Sequence, residues 1–207
     1  MGRIFKIFLS SALLCLALSC TSGRKGYVTI TGFAQGGTYA VKFNSEGVEV
    51  APEEIRDSIS SILSNIDNSL SGYNRNSLLS RFNAGETIKP DSIFIDMYAK
   101  AYDVFVETEG VVDAASAPLF DIWGFGFANQ SFPSDEEVGK VREDCGMSRL
   151  RRDMQEAVSA DGTLAPADLL AVEGALPKLN YNAIAQGYSC DLVAGYLYSA
   201  GVKDMMV

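Results

Sequence analysis

The chain has 207 residues, 47% of them hydrophobic, and a formal net charge of −9. There is material for one large domain or two small ones, and the acidic balance excludes a basic nucleic-acid surface and electrostatic attraction to anionic lipid. Histidine is absent, which excludes a Ser-His-Asp triad, a Cys-His pair and a His-ligated zinc; chemistry falls to carboxylates, hydroxyls, amides, backbone groups, Lys, Arg or an oxygen-bound cation.

Arg3 and Lys6 precede an apolar stretch over residues 7–18. It is shorter than the roughly 20 residues of a membrane-spanning helix and has the form of a signal-peptide core. The run closes as Leu16-Ala17-Leu18-Ser19-Cys20, and a small residue directly before a cysteine at that point resembles a bacterial lipobox. The alternative is an ordinary signal peptide with a chance cysteine, but the polar residues 21–26 suit a surface tether and favour the lipoprotein. The expectation is a signal peptide over 1–19, lipid on Cys20, a tether over 20–26 and a domain over 27–207. The protein would then sit in a bacterial cell envelope, membrane-anchored and facing outside the cytoplasm. Cys145 and Cys190 remain, either paired or as buried free thiols.

Residues 27–31 and 38–43 alternate as strands do. Between them, Gly32-Phe33-Ala34-Gln35-Gly36-Gly37 permits positive φ and close approach to a ligand, or simply a hairpin turn. Pro52 opens a helix in which Ile55, Ile59, Ile62, Leu63, Ile66 and Leu70 recur at helical spacing, and Ser71-Gly72 ends it. A polar loop with a short helical turn runs from Tyr73 to Asn83. Asp91 caps a second helix, with Phe94, Met97, Tyr98, Ala101, Tyr102 and Phe105 inward and Gly110 as its stop.

Residues 111–133 are aromatic and aperiodic, as in a loop that packs down or lines a pocket. Ser134 and Glu137 form a capping box that opens a third helix, ending near Gly146. Short strands are expected over 149–154, 156–159 and 176–181, with a turn at Asp161-Gly162 and a helical turn between Pro166 and Gly174. Asn180 or Asn182 caps a fourth helix through Ala200, and residues 202–207 begin a strand that needs partners. Helices among short strands indicate an α+β class rather than regular βαβ alternation.

Four segments carry the chemistry. They are Gln35-Gly36-Gly37-Thr38-Tyr39; Ser71-Gly72-Tyr73 with residues 77–83; Gly110-Val111-Val112-Asp113 with Pro118-Leu119 and Trp123-Gly124-Phe125-Gly126; and residues 179–188 with Asp191. In this order and spacing, behind a lipobox, they resemble the FAD:protein FMN transferases, the ApbE-type proteins. The resemblance runs from about Gly32 to the end. It implies an ApbE-type α+β fold, here its N-terminal part only, with a mixed sheet and packed helices. It also implies FAD bound in a cleft. With Mg2+, FMN would pass from FAD to a Thr or Ser hydroxyl of an exported redox protein, releasing AMP; such a transfer needs positioning and charge neutralisation more than a strong nucleophile.

Gln35 stands where the family has a methionine against the flavin. Tyr73 matches the FAD-contacting tyrosine, whose bland alternative is a tyrosine closing the core edge after a helix. Val111, Val112 and Asp113 match a segment that meets FAD through backbone and carboxylate; Asp113 otherwise reads as a turn or cap aspartate. The Trp123 motif reads as pocket support. In the last segment Asn180 replaces the family's acidic residue, with an amide that can hydrogen-bond the flavin or adenine but carries no charge to help hold a cation; Ala183 would lend a backbone oxygen to magnesium, and Gln186 would sit near FAD. Without the resemblance, Asn180 and Asn182 are helix caps. Arg75, Arg81 and Lys42 are candidates for phosphate contact, and Asp191 reads as structural. The family's later Gly-Gly-Glu turn, His-containing segment and metal-binding Asp and Thr have no counterpart in these 207 residues. The alternatives to a transferase are thus a non-catalytic FAD-binding lipoprotein or an inactive fragment.

Overall fold

Two strands of alternating burial open the domain in the computed structural model, which describes residues 26–125 and 132–207. β1 (Tyr27–Ala34) and β2 (Gly37–Asn44) form an antiparallel hairpin in full register, from Tyr27 opposite Asn44 to Ala34 opposite Gly37. The turn is only Gln35-Gly36, with φ of 52° and 77°. Two positive φ values give the primed geometry that suits strand twist, and glycine takes the second at no steric cost. Both strands therefore run further into the glycine-rich segment than their side-chain pattern predicts. β3 (Met205–Met206) pairs antiparallel with Lys42 and Phe43 of β2. Among the described residues the sheet has the order β1-β2-β3 and is antiparallel throughout, not mixed as expected: the two-residue hairpin makes β1 and β2 antiparallel without the crossover that parallel strands need, and β3 joins the other edge of β2 in the antiparallel sense too.

Helix α1 (Pro52–Leu70) starts at its proline and carries Glu53 and Glu54 in the first turn, where acidic residues complement the helix dipole. Its 19 residues span about 28 Å and serve two cores. Ile55, Ile59 and Leu63 pack with Ile30, Val41 and Phe43 of the sheet. Ile66 and Leu70 pack with Leu79, Phe82, Phe94, Met97, Leu179 and Tyr181. Helix α2 (Leu78–Asn83) is capped by Ser77, and α3 (Ser92–Glu107) by Asp91, whose carboxylate accepts from Phe94 N at 2.7 Å. Gly110, at φ 85°, ends this helical stretch as expected.

Residues 111–125 form a 3-10 turn (Ala114–Ser116) and a short helix α4 (Ala117–Ile122), with Pro118 in its first turn. The sequence shows neither because the apolar residues have no period. Helix α5 (Asp135–Glu143) has the expected capping box at Ser134 and Glu137.

The strands expected over 149–154, 156–159 and 176–181 do not form. Residues 147–149, 154–157 and 166–169 are 3-10 turns. Isolated bridges, Ile88 to Leu164 and Leu150 to Leu170, are the nearest approach to a sheet. Asp153 explains one case: its carboxylate takes Gln155 N, a local bond that competes with a ladder.

Helix α6 (Ala185–Ser199) begins later than expected. Its cap position is Ile184, with no side-chain cap bond, so neither Asn180 nor Asn182 caps it. Instead Asn180 Oδ1 accepts from Asn182 N at 2.8 Å. Cys145 and Cys190 are both free, and Cys190 is exposed rather than buried. Among the described residues no helix is long and apolar enough to cross a membrane. The expected signal, the lipid site at Cys20 and the tether up to Lys25 lie outside the described residues, as does Gly126.

Candidate flavin-binding cleft

The cleft is built on one extended strip. Leu179 and Tyr181 are each only 1% exposed. A chain that alternates side by side must then turn Asn180 and Asn182 the other way, and both line the same hollow with Tyr73. Backbone bonds hold the strip: Asn180 N donates to Ala114 O at 2.7 Å, and Tyr181 O accepts from Ile184 N and Ala185 N. The Asn83 carboxamide holds Leu179 from the far side, donating to its carbonyl and accepting from its N–H, both at 2.8 Å. Burial pushes the Tyr181 phenol well above its ordinary pKa, and its hydroxyl has no partner among the described residues.

Tyr73 stands on a turn knotted by hydroxyls. The Ser71 hydroxyl accepts from Tyr73 N at 3.2 Å and Asn74 N at 3.0 Å. Ser77 and Ser80 both donate to Ser71 O, at 2.6 and 3.0 Å. Asn74 ties the turn to α1 through Asp67 at 3.0 Å. The Tyr73 ring is 60% exposed, so it does not close the core edge. Its hydroxyl lies 3.4 Å from Asn182 Nδ2.

Gln35, at the hairpin tip, donates through Nε2 to Ser189 Oγ on α6, and the Ser189 hydroxyl in turn donates to Ala185 O at 2.8 Å. Gln35, Tyr73, Asn182 and Gln186 border one hollow of about 400 Å³. A second, of about 310 Å³, shares Tyr73 and Asn182 and adds Arg75, Phe120, Phe125, Lys178 and Asn180. A third, of about 200 Å³, shares Asn180 and Phe120 and adds Val111, Val112, Asp113 and Ala183. All the predicted site residues of the domain thus lie along one run of adjoining hollows, the two larger of which reach the lower end of the size range of small-molecule sites, roughly 300–1,000 Å³.

Of the three cations singled out, only Arg75 lines this run. Arg81 pairs with Glu86 at 2.9 Å, and Lys42 sits over the Tyr27 ring at 5.3 Å. Lys178, which the sequence does not mark, borders the cleft and pairs with Asp121 at 3.3 Å. Asp191 is exposed on α6.

The Asp113 carboxylate has local work. Oδ1 accepts from Ala115 N at 2.8 Å and Met147 N at 3.1 Å, and Oδ2 also meets Met147 N at 3.2 Å. It caps the 3-10 turn and ties it to a segment 34 residues away. Burial raises its pKa against the lowering pull of those two N–H groups. A raised native value means that Asp113 favours folding below its ordinary pKa of 3.8, and this contribution is lost as pH rises through the native value. Asp113→Asn keeps the Oδ1 acceptor and removes the titration. We expect it to cost under ~1 kcal/mol, and Asp113→Ala about 1–3 kcal/mol, read from denaturant midpoints. The gap between wild type and the Asn variant should shift in favour of Asn as pH rises from 3 to 7. Equal losses in both variants would show that the two bonds carry no stability.

A magnesium ion asks for several hard oxygen ligands. Among the described residues no three His, Cys, Asp or Glu side chains come together, and both Asp113 oxygens are engaged. Ala183, with its backbone carbonyl, and the neutral amide of Asn180 do not make a magnesium site by themselves. FAD is better served. An exposed aromatic ring, four carboxamides and a run of hollows match a long ligand with planar ends and many acceptors.

Comparison with known proteins gives the family. The sequence model of the ApbE family matches residues 35–207. The chain belongs to the ApbE family. An FAD:protein FMN transferase of Vibrio cholerae is 27% identical over 187 residues, which is 87% of this chain and 52% of that protein. One of Haemophilus influenzae is 25% identical over 203 residues, covering 94% and 56%. The solved flavin transferase ApbE from Vibrio cholerae superposes with a TM-score of 0.71 at 26% identity, covering 87% of this chain and 56% of that one. The flavinyl transferase ApbE of Pseudomonas stutzeri, in its apo form, gives 0.71 at 27%, covering 86% and 55%. This ApbE-family chain therefore has the α+β fold of the flavin transferases and spans about half the length of the relatives it matches.

Asn83, Asn182 and Lys178 are cleft residues that the sequence does not mark as such. Asn83 ends the motif over residues 77–83, with nothing in that motif to give it a role. Its partner is 96 positions away, and no local pattern marks such a contact.

Proposed function

We propose that this chain forms the flavin-holding part of an FAD:protein FMN transferase. The observation that supports it is the convergence of Gln35, Tyr73, Val111 to Asp113 and Asn180 to Gln186 on adjoining hollows in a member of the ApbE family. In the reaction, the hydroxyl oxygen of an acceptor Thr or Ser bonds to the FMN-side phosphorus of FAD. The bond from that phosphorus to the bridging oxygen breaks, AMP leaves, and the hydroxyl proton is released.

The Tyr73 ring would stack on a planar end of FAD. Asn180, Asn182, Gln35 and Gln186 would supply neutral donors and acceptors to its polar edges. Arg75 and Lys178 would face negative charge across a screened surface. Metal chemistry would supply charge neutralisation at the phosphates, with Ala183 O as this chain's contribution.

Trp123 is the single tryptophan, next to Phe120 and Phe125 in the same helix and turn. Titrating FAD should quench its emission saturably, and an unchanged emission would overturn the flavin reading. Covalent fluorescence on a gel, after mixing with FAD, Mg2+ and a Thr-containing acceptor, tests transfer. Quenching without a fluorescent band would favour the second reading, a non-catalytic FAD-binding lipoprotein. That reading draws support from Asp113, both of whose carboxylate oxygens are already engaged by backbone N–H groups.

The same proposal puts a lipid on Cys20 and the domain outside the cytoplasmic membrane, near exported redox acceptors. Cys20→Ser should move the protein from the membrane fraction to the soluble envelope fraction. Retention in the membrane would overturn the anchor.

A further inference from the structure

Among the polar side chains around the cleft, Asn83 bonds both backbone groups of one distant residue. Its Nδ2 donates to Leu179 O and its Oδ1 accepts from Leu179 N, each at 2.8 Å. This is the pairing that a neighbouring strand would provide. The strip 179–182 has the in-and-out alternation of a strand, yet no strand lies beside it among the described residues. A side-chain amide here takes the place of a ladder. The opposite side of the strip is held by Asn180 N on Ala114 O at 2.7 Å.

We propose that Asn83 is a positioning residue for the cleft: it fixes the height and twist of the strip, so that Asn180 and Asn182 face the ligand together with Tyr73. This rests on the flavin reading above for the ligand but not for the clamp. Three observations carry it. Asn83 and Leu179 themselves line the hollow that holds Tyr73, Asn180 and Asn182. Helix α2, which carries Asn83, is seated by the fully buried Phe82 and Leu79, so the clamp stands on a rigid base. The strip's own anchors, Leu179 and Tyr181, are buried side chains that set which way it faces, while hydrophobic contact is non-directional and leaves its sliding along the core to the hydrogen bonds.

The chemistry of an amide gives the test its sign. Asn83→Ala removes both bonds. Asn83→Asp keeps the acceptor for Leu179 N but sets a carboxylate oxygen against Leu179 O, a contact that is relieved only when the acid is protonated and can donate again. In the full 207-residue chain, with FAD binding read from Trp123 emission, Asn83→Ala should weaken affinity by about tenfold, the size expected for two lost hydrogen bonds. Asn83→Asp should do the same near pH 7 and recover towards wild type as pH falls through the new carboxyl's pKa, a step that wild type lacks.

Ser69→Ala is the control, because it removes one buried bond, to Asp91 at 2.9 Å, from a residue that lines none of these hollows. It should leave FAD affinity within about twofold of wild type. Amide hydrogen exchange without ligand should quicken over 179–183 in Asn83→Ala and not in Ser69→Ala. Unchanged exchange over 179–183 would overturn the clamp whatever the ligand. Quickened exchange with wild-type FAD affinity would overturn its role in the cleft. No quenching in wild type would overturn the flavin reading and, with it, the ligand half of the inference, leaving exchange to decide the clamp.

Discussion

Replacing Phe82 with alanine should cost about 3–5 kcal/mol of stability, the largest effect expected of a single substitution in this domain. Phe82 is fully buried and meets Phe94 of α3 with ring centroids 5.8 Å apart. It lies in the core cluster that joins Ile66 and Leu70 of α1 to Leu179 and Tyr181 of the cleft strip. Truncation removes the transfer energy of a ring and leaves a cavity between helices that cannot close on it. The site should suffer as well, since Asn83 follows directly on the same short helix. Denaturant midpoints measure the stability loss, and exchange over 179–183 measures the loosening. A loss below ~1.5 kcal/mol would mean that α2 and α3 collapse onto the gap and that the base under Asn83 is soft.

Tyr73 should behave in the opposite way. Its ring is 60% exposed, so Tyr73→Ala should change stability by no more than ~0.5 kcal/mol. If the ring stacks on flavin or adenine, the same variant should lose about 1–3 kcal/mol of FAD affinity, roughly a 5- to 150-fold rise in Kd. Tyr73→Phe separates ring from hydroxyl. The hydroxyl lies 3.4 Å from Asn182 Nδ2, long for a bond of any strength, so phenylalanine should retain most of the affinity. FAD titration of the three proteins decides it. If the alanine variant binds as wild type does, Tyr73 is only a neighbour of the ligand. A loss as large in the phenylalanine variant would transfer the role to the hydroxyl.

These two substitutions separate what holds the cleft up from what it presents. The turn carrying Tyr73 is polar and local, with Ser71, Asn74, Ser77 and Ser80 bonding within ten residues of one another. The floor is apolar and distant, bringing residues 66, 82, 94 and 179 together. Asp113 belongs partly to each. Its backbone neighbours border the cleft, while its carboxylate joins the 3-10 turn to Met147. A loss of FAD affinity in Asp113→Asn at unchanged stability would therefore report contact with the ligand, and a loss that follows stability would report the turn.

Much of the fold was legible in the sequence wherever the deciding interactions are local. The apolar period of α1, the proline at its start, the Asp91 cap of α3 and the Ser134 capping box each lie within a few residues of what they determine. The hairpin was legible too, because alternation and a glycine turn are short-range signals. The motifs also placed Gln35, Tyr73, Asp113 and Asn180 as candidates, through family resemblance rather than through any pattern of their own. Tertiary structure alone decided the rest. Residues 176–181 alternate as a strand would, but a strand exists only through a partner, and here the partner is one asparagine 96 positions away. Asn180 and Asn182 have the right chemistry for caps, but buried Leu179 and Tyr181 turn them towards the cleft instead. Helix α4 forms without an apolar period, on a proline start and packing. The hairpin tip meets α6 through Gln35 and Ser189 across 154 residues. Such contacts depend on how whole elements pack, and packing is collective, so no window of sequence carries it.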